Sequence, residues 1–404
     1  MKLCDTYSEI VIDDDRRNFI KVVGNSSCTK VHLILNNGVN IDPKDKIGIS
    51  HVCEHIFIEY VAEKYNEKTR DENYFQSMGY TNYEHTVLSF YISSKQENVE
   101  CLINIITELI SNLCVKSEYV QKCKMDVIKE CNVKKKESEY SLKVNSFITD
   151  ENINYLPIGD VDKIINLEEE DITTFLPKYY SSFSFVIIHN KNISTDIFKN
   201  LITKKTISQN STRKSCCQNT QKNIGKVLNV NSEYQKNLKI YFKQTKVNYT
   251  YKEKVAKCLI EIIINYKICS FLCIDNEQYS PITFKRKIVN KDYSFIVVCL
   301  DGYEKNLKGI SDNLAEYLLD IFISNKDFNQ SMKTFISFLN ETTDIDDTYV
   351  FNSIFHYLVY EDVLSITDKH VNQLRKMIKK ITLDDIIKLK KEIFTSDYKV
   401  VTGY

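Results

Sequence analysis

The chain has 404 residues, 43% of them apolar, and its 54 Lys and Arg balance 54 Asp and Glu. This is the composition of a globular protein too long for one typical core. Neutrality excludes the electrostatic footprint of a nucleic-acid binder, and the apolar stretch Cys258 to Ile274 is too interrupted, by Glu261, Asn265 and Lys267, for a membrane span.

The opening residues turn acidic at Asp13 and lack the apolar run of a secretory signal. Strands are expected at Phe19 to Val23 and Val31 to Leu35. A turn at Asn37-Gly38 and Asp42-Pro43 leads into a helix over Ile47 to Lys64. Leu88 to Ser93 reads as a strand. Val99 to Cys114 and Glu118 to Lys136 carry apolar residues at three- and four-residue spacing and read as helices. Leading strands, paired helices and a closing strand define an α+β domain with helices packed on one face of a mostly antiparallel sheet.

Residues 194–223 are rich in Lys, Ser, Thr and Asn, and their second half has no apolar period. They are expected to link a first domain (1–193) to a second (224–404). The two look like copies. Asp171 to Asn190 aligns without a gap with Asp385 to Tyr404, so that Ile172 meets Ile386, Phe175 meets Leu389, and Val186-Ile187 meets Val400-Val401. Both segments read as a helix followed by the strand that ends a domain. KVHLILNN from Lys30 and KIYFKQTK from Lys239 are similarly strand-like.

The thirteen cysteines are odd in number and scattered, with no paired CxxC units. They read as reduced thiols in a cytoplasmic protein.

The chemistry-bearing segment is His51-Val-Cys-Glu54-His55, inside the first expected helix. Positions i and i+4 lie about 40° apart around a helix, so both imidazoles face one point and can bind one Zn²⁺. Glu54 is one turn from His51 and can reach a water there without being a ligand. That suits metal-assisted hydrolysis with Glu54 as the base.

The H-x-x-E-H order is the inverzincin form of the zinc-peptidase motif, and the segment resembles the pitrilysin/insulinase family. That resemblance implies a third zinc ligand some 75 residues beyond the second histidine, which here is Glu130 in Met125-Asp-Val-Ile-Lys-Glu130. It also implies an edge segment that pairs with substrate backbone. The matching stretch is Gly79-Tyr-Thr-Asn82-Tyr-Glu-His85-Thr86, and Asn82 is its candidate substrate contact, although Tyr83 stands where the family has a small residue. A second family glutamate, two turns before the third ligand, is replaced by Cys123. The family's later domain supplies an R-x6-Y pair that stabilises the substrate oxyanion. Arg286 and Tyr293 match that spacing without the family's intervening Gly.

The resemblance implies a zinc endopeptidase acting on short unfolded peptides or leader segments inside a closed chamber. It implies pairing with a second chain, as a homodimer or with a related subunit, while composition argues against nucleic-acid and membrane partners. The alternative is a silent scaffold of the same fold that binds peptides without turnover.

Overall fold

The computed structural model describes residues 7–12, 19–24, 28–69, 74–111, 117–179, 183–190, 193, 226–230, 237–244, 249–272, 282–290, 293–301, 307–340, 351–356 and 368–403. The expected linker, and Cys216 and Cys217 within it, lie outside them.

The first half forms a six-stranded sheet from β1 (Tyr7–Ile12), β2 (Phe19–Gly24), β3 (Cys28–Leu35), β4 (Phe75–Thr81), β5 (Thr86–Ser93) and β6 (Phe183–Asn190). Its order is β1-β2-β6-β3-β5-β4, antiparallel except for β2 beside β6. The second sheet joins β7 (Lys226–Val230), β8 (Asn237–Lys243), β9 (Ile282–Asn290), β10 (Tyr293–Asp301) and β11 (Tyr398–Gly403) in the order β7-β11-β8-β10-β9. Here too one pair, β7 with β11, is parallel. Removing β1 makes the two orders identical. Internal duplication is thus visible in topology. The aligned residues share their burial as well: Ile172 and Ile386, Phe175 and Leu389, and Val186 and Val400 are all buried.

Helices pack against both sheets. In the first half these are α1 (Ile49–Thr69), α2 (Gln96–Ser111), α3 (Ser117–Val133), α4 (Lys135–Thr149), α5 (Val161–Ile165) and α6 (Glu169–Tyr179). In the second they are α7 (Tyr251–Phe271), α8 (Leu307–Asp320), α9 (Asn325–Asn340), α10 (Asp368–Ile378) and α11 (Leu383–Ile393). No described helix is long and apolar enough to cross a membrane. Val31, Leu33 and Leu35 of β3 face α1, whose Val52, Cys53, Ile56 and Phe57 complete the first core. Leu238, Ile240 and Phe242 of β8 do the same against α7.

The opposite faces are covered reciprocally. Helical residues 351–356 of the second half lie against the first sheet, with Phe351 stacked on His32 at 4.0 Å between ring centroids and Phe355 edge-on to His85 at 4.8 Å. In return, Val144 and Ile148 of α4 pack with Tyr241, Phe295, Val297 and Val401 of the second sheet. The ammonium of Lys399 on β11 fastens that contact. It donates to the Phe147 carbonyl (2.6 Å) at the end of α4 and pairs with the Asp150 carboxylate. Cations satisfy the orphan carbonyls of a helix C-terminus and favour its dipole. Lys399→Met keeps the stem and deletes the donor. It is expected to destabilise the protein by about 1–3 kcal/mol, read as a lower urea midpoint at unchanged slope.

Of the boundaries that differ from the sequence reading, three border the site or the contact between the halves. The helix expected over Ile47 to Lys64 begins at Ile49 and runs to Thr69. Helix continues almost unbroken past Lys136 as α4. The edge strand begins at Phe75, ahead of the Gly79 segment.

Candidate metal centre

Helix α1 starts where local chemistry forces it to. Gly48 has φ +106, and a Cβ there would meet the Ile164 side chain at 2.8 Å, so glycine is required at the bend. The Asp42 carboxylate accepts from the Gly48 N–H (2.7 Å), the Ser50 N–H (3.3 Å) and the Ser50 hydroxyl. It thereby satisfies N–H groups that a helix N-terminus leaves open. The first two turns are enclosed by the sheet, α3 and α6, which buries His51 and Glu54 to 6% and 3% exposure. Polar groups so placed need partners.

They have them. His51 and His55 lie one turn apart with ring centroids at 4.9 Å. Helix α3 brings Glu130 beside both: its Oε2 is 3.5 Å from His51 Nε2 and 3.6 Å from His55 Nε2. One donor atom from each of the three residues falls within 4.8 Å of the others. His51 Nδ1 lies 2.8 Å from the Ile158 carbonyl. A carbonyl only accepts, so Nδ1 carries the proton and Nε2 presents its lone pair to the cluster. The other Glu130 oxygen accepts from Lys134 at 2.6 Å, which turns Oε2 toward the histidines. Its neighbours His51 and then Lys134 hold the Glu130 carboxyl down at about 2, so it is ionised.

These donors fit zinc. Tetrahedral coordination with bonds near 2.0–2.1 Å separates ligand atoms by about 3.4 Å, close to the two Glu130 contacts. Two imidazoles and one carboxylate leave a fourth position open for water or substrate, as in catalytic rather than structural sites.

Glu54 is outside this set. Its Oε2 accepts from the Thr81 hydroxyl at 2.6 Å. Burial pushes its carboxyl up to about 6, against the opposing pull of His51 and Thr81. That suits proton exchange near neutrality. Gly79 on β4 makes room for it, since a Cβ there would stand 2.6 Å from Glu54 Oε1. The group lines a cleft of about 570 Å³, with Ser77 to Thr81 along one side and Leu156 to Ile158 along another. β4 is the outermost strand of its sheet among the described residues.

The other expected site residues fall elsewhere. Asn82 builds a turn: its Oδ1 accepts from the Glu84 and His85 N–H groups, its Nδ2 lies 2.6 Å from His85 Nε2, and its own N–H and carbonyl bond His85 and Val39. Its polar atoms are thus engaged within the chain. The strand bordering the cleft is β4, just before it. Arg286 and Tyr293 do not converge. Arg286 pairs across the ladder with Ile296, on the helix-covered face, while Tyr293 belongs to the opposite face with Phe295 and Val297. The Tyr293 hydroxyl donates to Glu151 at 2.6 Å and Arg286 Nε to Ser294 Oγ at 3.3 Å. Neither lines the metal cleft. Cys123 does line it, but burial pushes its thiol up to about 12, so it supplies no charge in place of a carboxylate.

Sequence reasoning named Gly79 and Thr81 only as parts of the edge segment, with no role toward Glu54, and passed over Lys134 and the Ile158 carbonyl. Only Lys134, four residues after Glu130 on a helix, left a readable signal.

The family model described as Insulinase (Peptidase family M16) matches residues 23–156. No curated protein matches the sequence. Among solved structures, the periplasmic protease PqqL from Escherichia coli is similar over 100% of this chain and 48% of its own, at 13% identity and TM-score 0.73. The chain therefore spans about half the length of that protein. A protease from Helicobacter pylori is similar over 98% of this chain and 99% of its own (15% identity, TM-score 0.65). A peptidase M16 inactive domain from Pseudomonas fluorescens is similar over 98% and 97% (11% identity, TM-score 0.62). At these identities the likeness is one of fold.

Proposed function

We propose, from the match of residues 23–156 to the insulinase family of peptidases, that the chain is a zinc-dependent endopeptidase for short unfolded peptides or leader segments. The observation that carries this reading is a buried His–His–Glu donor set with a fourth carboxylate, Glu54, beside it and bonded elsewhere. A protein that only bound metal would have no use for that buried carboxylate.

In this reading His51, His55 and Glu130 hold zinc. When bound, zinc supplies a Lewis acid that acidifies water and polarises the scissile carbonyl. Glu54 takes the proton of the attacking water and returns it to the leaving amine. Thr81 fixes the carboxylate in place. The outer edge of β4 pairs with an extended peptide through main-chain hydrogen bonds, which demands flexibility of the substrate rather than a particular sequence.

Oxyanion stabilisation is proposed to come from a second chain closing the cleft, a copy or a related subunit. The bond from Tyr293 to Glu151 and the opposed directions of Arg286 and Tyr293 favour the related subunit. Cleavage restored only on adding that subunit would bear this out. Among the described residues, Cys53, Cys101, Cys123, Cys131 and Cys269 are in no disulfide, in keeping with the proposed cytoplasmic setting.

One observation favours the silent scaffold: Cys123 lies in the cleft where the family carries a carboxylate. Chelation separates the two readings. Stripping the metal is expected to end cleavage of a mixed set of unstructured peptides, read by mass spectrometry, and about one equivalent of zinc should restore it. Bound zinc with no cleavage, even beside a related subunit, would support the scaffold.

A further inference from the structure

A second cavity, of about 370 Å³, lies where the two halves meet. One wall is the turn at 82–84. The other is the open face of the second sheet, bearing Lys239, Tyr241, Lys285 and Lys287. Three lysines thus face the single carboxylate of Glu84, while the Arg286 side chain lies on the other face of the strand.

The sheet register explains why the charges gather. Lys285 and Lys287 are two apart on β9 and share a face, opposite Val297 and Phe295 of β10. Lys239 and Tyr241 of β8 stand opposite Cys299 and Val297 across the same strand. Three lysines from two strands therefore project from a face whose other residues, Tyr241, Phe295 and Val297, form the core that α4 covers. The Lys287 ammonium sits 5.6 Å from the Tyr241 ring centroid. No ion pair joins Lys285 or Lys287 to a carboxylate among the described residues. Burial, and then the charge of Lys239, push Lys287 down to about 8. Gathering like charges in a partly desolvated cavity is unfavourable, and an entering anion would relieve it.

Chain continuity gives the anion its source. Thr81 ends β4 and bonds Glu54, and Asn82, the next residue, lines this cavity. A peptide paired along β4 advances about 3.3 Å per residue, so its side chains reach the turn a few residues from the bond facing Glu54. We infer that this cavity is a subsite for a carboxylate of the peptide substrate, selecting chains with an acidic group a few residues from the cleaved bond. The inference rests on the peptidase reading of the β4 edge.

The test uses the zinc-loaded full chain carrying Glu54→Gln, which binds without turnover. Fluorescent peptides with Glu or its isostere Gln at one scanned position are titrated by anisotropy, each with a free and an amidated C-terminus. At one position the Glu peptide is expected to bind about tenfold more tightly than the Gln peptide, the scale of a charge-assisted hydrogen bond. Lys285→Gln with Lys287→Met should erase that preference and leave the Gln peptide's affinity unchanged, which also reports an intact fold. Lys287→Arg should keep it. A preference that follows the free C-terminus instead assigns the subsite to the terminal carboxylate. Equal affinities for Glu and Gln peptides with either terminus, or a preference that survives the double substitution, would overturn the subsite. Failure of the Glu54-intact chain to cleave any of these peptides, even beside a related subunit, would sink the peptidase reading, and the binding data would still decide the subsite.

Discussion

Glu54→Gln is expected to lower peptide cleavage by about 10²- to 10⁴-fold while zinc stays bound. The amide is isosteric, and its oxygen can still accept from Thr81 at the 2.6 Å position. What it lacks is basicity, so it cannot take the proton of the attacking water. The metal should be unaffected, because the donors are His51, His55 and Glu130. Metal content by mass spectrometry, measured beside the cleavage rate, separates the two effects. Zinc lost along with activity would mean that Glu54 helps to hold the metal, and the role given to it here would be wrong.

Gly79→Ala should cost about 10²-fold in cleavage rate, again with zinc retained. The added methyl would lie 2.6 Å from Glu54 Oε1 and 2.7 Å from the Ile58 side chain, both too close to stand. Glu54 is the mobile partner and would swing, and a displacement near 1 Å of a catalytic group costs about that factor. Gln76→Ala, exposed on the other side of the same strand, is the control and should leave the rate within about twofold, as surface changes usually do. An active Gly79→Ala enzyme would show that Glu54 has room the close contact denies it.

The metal helix was legible because its signal is local: helical spacing alone converges His51 and His55. Glu130 was readable only by resemblance, since nothing in the sequence of α3 says which helix it will face. Asn82 and the Arg286–Tyr293 pair mark the limit of spacing arguments. R-x6-Y becomes a hairpin in which Tyr293 pairs with Asn290, four residues from Arg286 on the same strand. The two positions start roughly 13 Å apart along the ladder and point to opposite faces. Helix α4 was missed beyond Lys136 because its apolar positions, Tyr140, Val144 and Ile148, are sparse in a polar run and face a partner in the other half of the chain. The alignment of Asp171 to Asn190 with Asp385 to Tyr404 succeeded for the opposite reason. It joins a helix to the strand it feeds, a local unit whose burial pattern was copied with it.

The mutual covering of the two sheets bears on how the protein is made. A ribosome adds roughly 5–20 residues per second, so the first half waits on the order of ten seconds or more for residues 351–356. Throughout that interval His32 and His85 lack the cover of Phe351 and Phe355, while Val144 and Ile148 lack the sheet they pack on. The nascent half is then a natural client for chaperones, and a gene cut between the halves should yield soluble protein only when both pieces are synthesised together.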